Sequence, residues 1–327
     1  MKTVIIGGVA AGMSAASKLK RLLGDAVEIV VYEKGGEVSF GACGIPFYIS
    51  DHIKQGKELI ARTAEEFAKS GIPVKIYHEV TAVDTDAKTV TVKNLQTGEV
   101  FDDIYDKLVI GSGAGVRHFP PFDRSYSNLF EIRDVADGTR VKQALFDEKQ
   151  RHVVIVGAGF IGLEMAENLH AQGAKVSIVE MGNQVMAPID FSMASLVHQH
   201  LMDKGVNLYL EQAVASFSRE GKGLKVTFKN GQSISADIVI LSIGVRPETS
   251  LARAAELTIG PAGGIAVNDY LQTSDESIYA IGDAIEFRHP ITGKPWLNYL
   301  AGPANRQGRI VADNVLGAKI PYEGSIG

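Results

Sequence analysis

Cys43 is the only cysteine among the 327 residues, and it lies in the run Ser39-Phe40-Gly41-Ala42-Cys43-Gly44-Ile45-Pro46. A dithiol enzyme needs a second sulfur at a spacing such as C-x-x-C, and this sequence has none. A disulfide formed by Cys43 would therefore join it to a thiol from another molecule. The alternative interpretation is that Cys43 is a small buried apolar residue, as isolated cysteines often are.

The residues around Cys43 favour a reactive thiol. Gly41 and Gly44 flank it closely. Pro46 suits the first turn of a helix, and the amphipathic run 47–53 follows it. The N-terminus of a helix stabilises a thiolate through unpaired N–H groups and the positive end of the helix dipole. We therefore predict that Cys43 is redox-active.

The N-terminal residues have the pattern of a β-α-β nucleotide-binding unit. A strand, a glycine-rich turn, a helix and a second strand are predicted at residues 3–6, 7–12, 13–23 and 27–33. Such a turn brings backbone N–H groups to a pyrophosphate, and an acid ending the second strand accepts hydrogen bonds from the ribose. Val9 replaces the middle glycine of the usual pattern. The predicted nucleotide contacts are Gly7, Gly8, Ala11, Gly12, Glu33 and Lys34.

The same pattern recurs at residues 152–156, 157–162, 163–172 and 175–180, and here all three glycines are present. Glu180 would bond the 2′-hydroxyl of NADH and repel the 2′-phosphate of NADPH. No arginine follows it within residues 181–184, so NADH is favoured, with NADPH as the alternative. The predicted contacts of this second site are Gly157, Gly159, Phe160, Ile161, Gly162 and Glu180.

Two nucleotide sites in one chain indicate two cofactors that exchange electrons. Hydride transfer needs the reacting atoms about 3–3.5 Å apart, and a flavin with a nicotinamide meets that need. Together with Cys43, the pair predicts redox chemistry.

Composition excludes several other classes of function. The chain is 45% apolar and 22% charged with a net charge of −5, and it has no long run of Lys or Arg, so nucleic acid is not an expected partner. One cysteine excludes an internal disulfide framework, and no Cys/His spacing predicts a metal site. The apolar N-terminal run carries turn glycines and is interpreted as a fold element rather than a signal peptide. The expected location is the cytoplasm, without a membrane span.

These features resemble the pyridine nucleotide-disulfide oxidoreductases, flavoproteins, and within them the single-cysteine branch of coenzyme A disulfide reductases, NADH oxidases and NADH peroxidases. Three further segments carry the resemblance: residues 105–114, which resemble the exit from the first flavin-binding segment, residues 240–247, which resemble the return to it, and residues 277–283, which resemble the flavin motif. The resemblance implies cofactor contacts at Ser112, Gly113, Gly244, Gly282 and Asp283, with Asp283 on the ribityl chain.

The resemblance also implies an α/β fold of two doubly wound Rossmann-like nucleotide-binding domains, the second inserted in the first. Residues 1–112 and 244–317 would form the FAD-binding domain, and residues 113–243 the NAD(P)H-binding domain. Family members continue into a dimerisation domain and form homodimers. Residues 318–327 would be only its start, so the resemblance does not extend to dimerisation of this chain.

Among these relatives, the peroxidases and oxidases carry a histidine in the first glycine turn, where this chain has Ala10. The segment around Cys43 is instead similar to coenzyme A disulfide and persulfide reductases. The resemblance therefore implies transfer of electrons from NADH through FAD to Cys43, which reduces coenzyme A disulfide or a related small disulfide or persulfide. Ser39 is predicted to hydrogen-bond near the sulfur.

Coenzyme A carries phosphates, which need basic partners. The predicted partners are Lys18, Lys20, Arg21 and Arg62, although a basic cluster on a helix is also typical of a solvated face. Two other functions stay open at this point. One is an NADH oxidase or peroxidase that uses a Cys43 sulfenic acid, and the other is a non-enzymatic redox-sensing flavoprotein.

Overall fold

The computed structural model describes residues 1–117, 119–123, 125–146 and 151–326. The helices are α1 Ala10–Leu23, α2 Ile45–Ile49, α3 Ala64–Lys69, α4 Val135–Phe146, α5 Phe160–Ala171, α6 Phe191–Asp203, α7 Ser250–Ala254 and α8 Ala301–Val315. The strands are β1 Lys2–Ile6, β2 Glu28–Tyr32, β3 Val74–Lys75, β4 His78–Asp84, β5 Thr89–Asn94, β6 Val100–Ile104, β7 Lys107–Ile110, β8 Ala114–Val116, β9 Leu129–Glu131, β10 His152–Val156, β11 Lys175–Val179, β12 Asn207–Tyr209, β13 Val214–Glu220, β14 Gly223–Phe228, β15 Ser233–Ala236, β16 Ile238–Leu241, β17 Val245–Pro247, β18 Ile265–Ala266, β19 Ile278–Ala280, β20 Ile285–Arg288 and β21 Pro295–Trp296.

The chain divides into two compact units. The first unit comprises Met1–Phe40, Ile60–Gly115 and Arg246–Gly327, and the second comprises Gly41–Leu59 and Val116–Val245. Residues 41–59, which include Cys43, group with the second unit. The last expected segment, 318–327, lies in the first unit, and Gly327 is outside the described residues.

The first unit is built on a parallel sheet with the strand order β19-β7-β1-β2-β3. β1 has the sequence Lys-Thr-Val-Ile-Ile, whose β-branched residues are buried as expected for a central parallel strand. α1 connects β1 to β2 and ends at Gly24, whose positive φ of 54° stops the helix. An antiparallel sheet of β4, β5 and β6 precedes β7.

The second unit repeats this plan in the same order along the chain. Its parallel sheet has the order β12-β11-β10-β16-β9, with β10 at the centre and α5 between β10 and β11. An antiparallel sheet of β13, β14 and β15 again precedes the strand that returns beside the central one. Each unit has its own buried apolar core. The structure thus confirms the predicted α/β class with two doubly wound parallel sheets.

Candidate functional site

The first glycine turn is shaped by two close backbone approaches. Gly7 has a φ of +101°, and a Cβ there would lie 2.1 Å from Gly111 O. A Cβ on Gly12 would lie 1.9 Å from Gly7 O. Only glycine satisfies these approaches, because Cβ atoms essentially never come so near a carbonyl oxygen. Val9, the N-cap of α1, makes no side-chain hydrogen bond to the helix, so the first N–H groups of α1 are not capped by it, as suits a pyrophosphate site.

The second turn has the same geometry. Gly157 has a φ of +104° and would place a Cβ 2.4 Å from Ser242 O, while a Cβ on Gly162 would lie 2.1 Å from Gly157 O. Around Gly159, the middle glycine, nothing lies within 4 Å of a Cβ position. A ligand can therefore approach the backbone there. Phe160 and Ile161, which begin α5, are both exposed beside this opening.

Each turn is bonded to an acid that directly follows a strand, Glu33 after β2 and Glu180 after β11. Gly8 N–H donates to Glu33 Oε2 at 2.7 Å, and Gly35 N–H donates to Oε1 at 2.6 Å. In the second unit the Ala158 N–H donates to Glu180 Oε2 at 2.9 Å, and Gly182 N–H donates to Oε1 at 2.7 Å. These hydrogen bonds hold the carboxylates beside the turns. This is the position from which an acid reaches a ribose.

The other residues predicted to contact the nucleotide at the first turn are partly packed and partly exposed. A Cβ on Gly8 would lie 2.7 Å from Val38 Cγ1, and Ala11 is buried, so both serve the packing of the turn. Lys34 follows Glu33 and is exposed. Val9, in place of the middle glycine, precedes α1 with an ordinary φ of −105°.

The segment after β19 brings Asp283 next to the first turn. A Cβ on Gly282, whose φ is +74°, would lie 3.1 Å from Ala11 Cβ, and the Gly282 N–H donates to Gln307 Oε1 at 2.6 Å. The Asp283 carboxyl is half-buried, and burial raises its pKa to about 6. A half-buried carboxylate beside a pyrophosphate turn fits the hydroxyls of a flavin ribityl chain. This observation, with the two glycine turns, shows that the residues present suit a dinucleotide such as FAD.

The raised pKa of Asp283 predicts a pH-dependent stability for protein stripped of flavin. The ordinary pKa is 3.8 and the folded value about 6, so the folded state binds more protons between these values and its stability falls as pH rises through them. Asp283→Asn should therefore unfold at a higher temperature than the parent at about pH 7.5, with a much smaller difference at about pH 4. The same variant should bind FAD more weakly. Differential scanning fluorimetry at both pH values tests this, and a Tm gain equal at both would contradict it.

Three other predicted cofactor residues lie where the chain crosses between the units. The Ser112 hydroxyl donates to Glu248 O at 2.7 Å, and Gly113 follows it with a φ of +72°. Gly244 has a φ of +92° with nothing within 4 Å of its Cβ position. Ser112 and Gly113 belong to the first unit, and Gly244 belongs to the second.

Cys43 lies on an exposed one-turn 3-10 helix, Ala42–Gly44, directly before α2. Pro46 is in the first turn of α2 as predicted, but the helix ends at Ile49 rather than continuing through residue 53, because Asp51 adopts a φ of +64°. We call residues 41–59 the thiol segment. The thiol is not a buried apolar residue, so it is open to an external partner.

The thiol segment is closed at its base by hydrogen bonds. Gly41 N–H donates to Leu59 O, and Ala61 N–H donates to Ser39 O, each at 2.9 Å. Ser39 itself has a φ of +51°, in the left-handed region that non-glycine residues rarely adopt, and its N–H donates to Gly8 O at 2.9 Å. The backbone of Ser39 is therefore tied to the first glycine turn.

A cavity of about 230 Å³ lies in the first unit, against the outer face of α1. Arg21 and Arg309 supply two guanidinium groups to its lining, and Ser39 and Phe67 also line it. Ser14 Oγ donates to Asn305 Oδ1 at 2.6 Å across the wall formed by α1 and α8. α8 reaches this position because Gly308 lets it approach α1, where a Cβ would lie 2.4 Å from Ala11 O. Two guanidinium groups with hydroxyls and an amide suit a phosphate ester.

Of the four basic residues predicted for coenzyme A, the structure places Arg21 on this cavity. Lys18 forms an ion pair with Asp313, and Lys20 pairs with Asp25 at 2.7 Å. Arg62 stacks on the Phe67 ring at 4.2 Å and donates to Glu66 O at 2.7 Å. The sequence-based reasoning did not include Asn305 and Arg309. Their spacing of four residues on one face of α8 is the only local signal that could have suggested them.

Two features are absent from the described residues. None of the helices is both long and apolar enough to cross a membrane. No group of three or more His, Cys, Asp or Glu side chains among them is arranged to hold a metal ion.

Known proteins with similar sequences belong to the family that the sequence motifs resemble. The sequence model of the family described as "Pyridine nucleotide-disulphide oxidoreductase" matches residues 1–303. Coenzyme A disulfide reductase of Staphylococcus haemolyticus is 33% identical over 328 residues, which are 100% of this chain and 73% of that protein. NADH oxidase of Methanocaldococcus jannaschii is 33% identical over 325 residues, 98% of this chain and 71% of that protein.

Among solved structures, the reduced CoADR-RHD of Bacillus anthracis superposes with a TM-score of 0.94 at 41% identity. The match covers 99% of this chain but 58% of that one, so the present chain spans well under two thirds of that relative.

Proposed function

The chain belongs to the pyridine nucleotide-disulphide oxidoreductase family, and from that premise we propose that it is an FAD-dependent enzyme which uses NADH to reduce coenzyme A disulfide or a related small disulfide or persulfide at Cys43. The observation that carries the proposal is the combination of two matching dinucleotide turns with one exposed thiol. Cys43 is the fourth residue after Ser39, so chain geometry alone keeps their Cα atoms within about 14 Å. Ser39 is bonded to the first glycine turn, which supports a thiol near the cofactor held there.

The first unit would hold FAD and the second would hold the nicotinamide. In the first, the turn from Gly7 to Gly12 would bind the pyrophosphate, Glu33 the ribose and Asp283 the ribityl chain. In the second, the turn from Gly157 to Gly162 would bind the pyrophosphate of NADH and Glu180 its ribose. Bound FAD supplies a hydride acceptor for the nicotinamide and a two-electron donor for a disulfide.

Cys43 carries the thiol chemistry. Its thiolate attacks one sulfur of the substrate disulfide, a bond forms between that sulfur and Sγ, and the other half leaves as a thiolate. Two electrons and one proton then break the mixed disulfide, which regenerates the Cys43 thiolate and releases the second thiol. The exposure of Cys43 supports this role, because the attack requires access for an external disulfide. Ser39 is proposed to stabilise the sulfur from its position on the cavity wall.

The cavity beside α1 is the proposed site for the phosphates of coenzyme A. Its two arginines provide the charge-assisted hydrogen bonds that a phosphate monoester and a diphosphate require. Ser39 links this cavity to Cys43 along the chain, since it lines the cavity and precedes the thiol segment.

Replacing Arg309 should weaken the use of coenzyme A disulfide without affecting NADH. Losing a charged hydrogen bond to phosphate costs about 1.5–3 kcal/mol, so Arg309→Gln should raise KM for coenzyme A disulfide about 10- to 100-fold. A small phosphate-free disulfide such as cystine should be used equally well by variant and parent. Arg288→Gln, an exposed arginine outside the cavity, is the matched control. Equal losses with both disulfides would contradict a phosphate role.

NADH oxidase activity is the second candidate, because a relative of that name matches the chain at the same level of identity. Ala10 argues against it, since a methyl group in the first turn supplies no proton for oxygen chemistry. Oxygen consumption in the absence of any disulfide would favour the oxidase. A redox sensor without catalysis is disfavoured if NADH is consumed in steady state when a disulfide is present.

The acceptor class is tested by intact-mass measurement of protein purified without reductant. We expect an adduct of coenzyme A mass, removed by dithiothreitol and absent from Cys43→Ser. A sulfenic acid on Cys43 without any thiol adduct would instead support peroxide or oxygen as the acceptor. We assign this chemistry to the cytoplasm, where low-molecular-weight disulfides must be returned to thiols.

A further inference from the structure

The thiol segment is fastened to α5, the helix that begins at the second glycine turn. Ser50 lies at the end of α2, seven residues after Cys43, and its hydroxyl donates to Asn168 Oδ1 at 2.6 Å. At the C-cap of α5, Gln172 Nε2 donates to the Ser50 carbonyl oxygen. Ser50 and Asn168 are only 1% and 3% exposed, so water does not compete for the hydrogen bond between these two side chains.

The bonding around Asn168 favours one arrangement. Its Nδ2 donates to Glu164 O at 2.8 Å, which leaves Oδ1 as the acceptor for Ser50. The Ser50 hydroxyl has one proton, and its shortest contact directs that proton to Asn168, with Phe47 O further away at 3.2 Å. Ser50 Oγ then accepts from His52 Nδ1 at 2.9 Å. Ser50 Oγ, Asn168 Oδ1, Asn168 Nδ2 and His52 Nδ1 therefore each have a hydrogen-bond partner.

A second set of contacts fastens the same segment to α4. The Tyr48 and Thr139 hydroxyls lie 3.2 Å apart, and Lys142 Nζ lies 4.2 Å from the centre of the Tyr48 ring and 2.9 Å from Asp51 Oδ1. These contacts hold the body of α2 but have no link to a nucleotide turn. Asn168 differs, because it lies eight residues after Phe160 on α5, about 12 Å along the axis from the nucleotide end.

We infer that Asn168 is a positioning residue for Cys43. By holding Ser50, it fixes the orientation of α2, and of the turn that carries Cys43, relative to α5. The helix that begins the proposed nicotinamide site would therefore also orient the thiol. This inference rests on the proposed function only for the role of the thiol in turnover. The hydrogen bonds that connect Ser50 to Asn168 and Gln172 do not depend on which disulfide is reduced.

The test uses the holoenzyme with Asn168→Leu, Ser50→Ala and the conservative Ser50→Thr, which keeps the hydroxyl. Ser177→Ala is the matched control, because Ser177 is a fully buried serine of the second unit whose hydroxyl bonds His152 and Asn207 and has no contact with the thiol segment. Five quantities are measured: the rate constant of Cys43 alkylation by iodoacetamide, kcat with coenzyme A disulfide, KM for NADH, the rate of flavin bleaching by NADH, and Tm.

Asn168→Leu and Ser50→Ala should each change the alkylation rate at least about fivefold and lower kcat about tenfold. KM for NADH and the rate of flavin bleaching by NADH should stay within about twofold of the parent, since the nucleotide turn is untouched. Ser50→Thr should restore both altered quantities. Ser177→Ala should lower Tm while leaving alkylation unchanged.

Two results would overturn the inference. One is an unchanged alkylation rate in both Asn168→Leu and Ser50→Ala. The other is an equal change in Ser177→Ala, which would show that lost stability alone moves the thiol. A failure of the proposed function would give a different result. Asn168→Leu and Ser50→Ala would still change the alkylation rate, but Cys43→Ser would still reduce the disulfide.

Discussion

Cys43→Ser is expected to abolish disulfide reduction while NADH still bleaches the flavin. Serine keeps the size of the side chain but is far less nucleophilic than a thiolate, and the chain has no other sulfur of this kind to replace it. Turnover with coenzyme A disulfide should fall by at least about 10³-fold, as it does when a covalent nucleophile is removed. Stopped-flow absorbance and steady-state assays of the same preparation measure the two steps separately.

The control for this variant is Ala42→Ser, an exposed neighbour on the same 3-10 turn. It should retain both steps, which shows that a new hydroxyl in the turn is tolerated. Turnover of Cys43→Ser at the parental rate would show that electrons reach the disulfide by another path. Loss of both steps would mean instead that the substitution disturbs the flavin site.

Replacing the acid of the second site should change the nucleotide preference. The Glu180 carboxylate accepts the Ala158 N–H of the turn and the Gly182 N–H, and in the proposed site it would meet the adenosine ribose, where it would favour a 2′-hydroxyl and repel a 2′-phosphate. Met181, which follows it, is 79% exposed and can be replaced without a packing cost. The double change Glu180→Gln with Met181→Arg should lower the ratio of kcat/KM for NADH over NADPH by roughly 10²-fold. Glutamine is used because its amide oxygen can still accept a turn N–H.

Glu33 offers the matched control, because it holds the first turn with the same pair of hydrogen bonds. Glu33→Gln should weaken FAD binding and leave the preference between the two nicotinamides unchanged. The assignment of the two sites would be contradicted if Glu33→Gln altered that preference and the changes at residues 180 and 181 did not.

Much of the fold could be predicted because each nucleotide unit is a local pattern. The strands β1, β2, β10 and β11 lie within one residue of their predicted limits. Both helices begin three residues earlier than predicted, at Ala10 and Phe160. The third glycine of each turn is already inside the helix, where it must pass close to the first glycine's carbonyl oxygen. The periodicity of apolar residues in the sequence carries no information about that backbone contact.

The parts that could not be predicted depend on contacts between distant residues. Arg309 meets the cavity beside Arg21 only because Gly308 allows α8 to cross α1. The thiol segment groups with the second unit, where the Ser50 hydroxyl donates to Asn168 and the Ser50 carbonyl oxygen accepts from Gln172, two residues about 120 positions further along the chain. No spacing in the sequence connects such pairs, because tertiary packing rather than local propensity decides them.

The most direct measurement is an anaerobic titration of the holoenzyme with NADH after incubation with coenzyme A disulfide and removal of unbound thiols. The account predicts that complete reduction takes about two equivalents of NADH per FAD and releases about one equivalent of thiol, because a mixed disulfide on Cys43 accepts two electrons beyond those taken by the cofactor. Cys43→Ser should take about one equivalent and release none. Complete reduction of the parent protein by one equivalent, with no thiol released, would contradict the account.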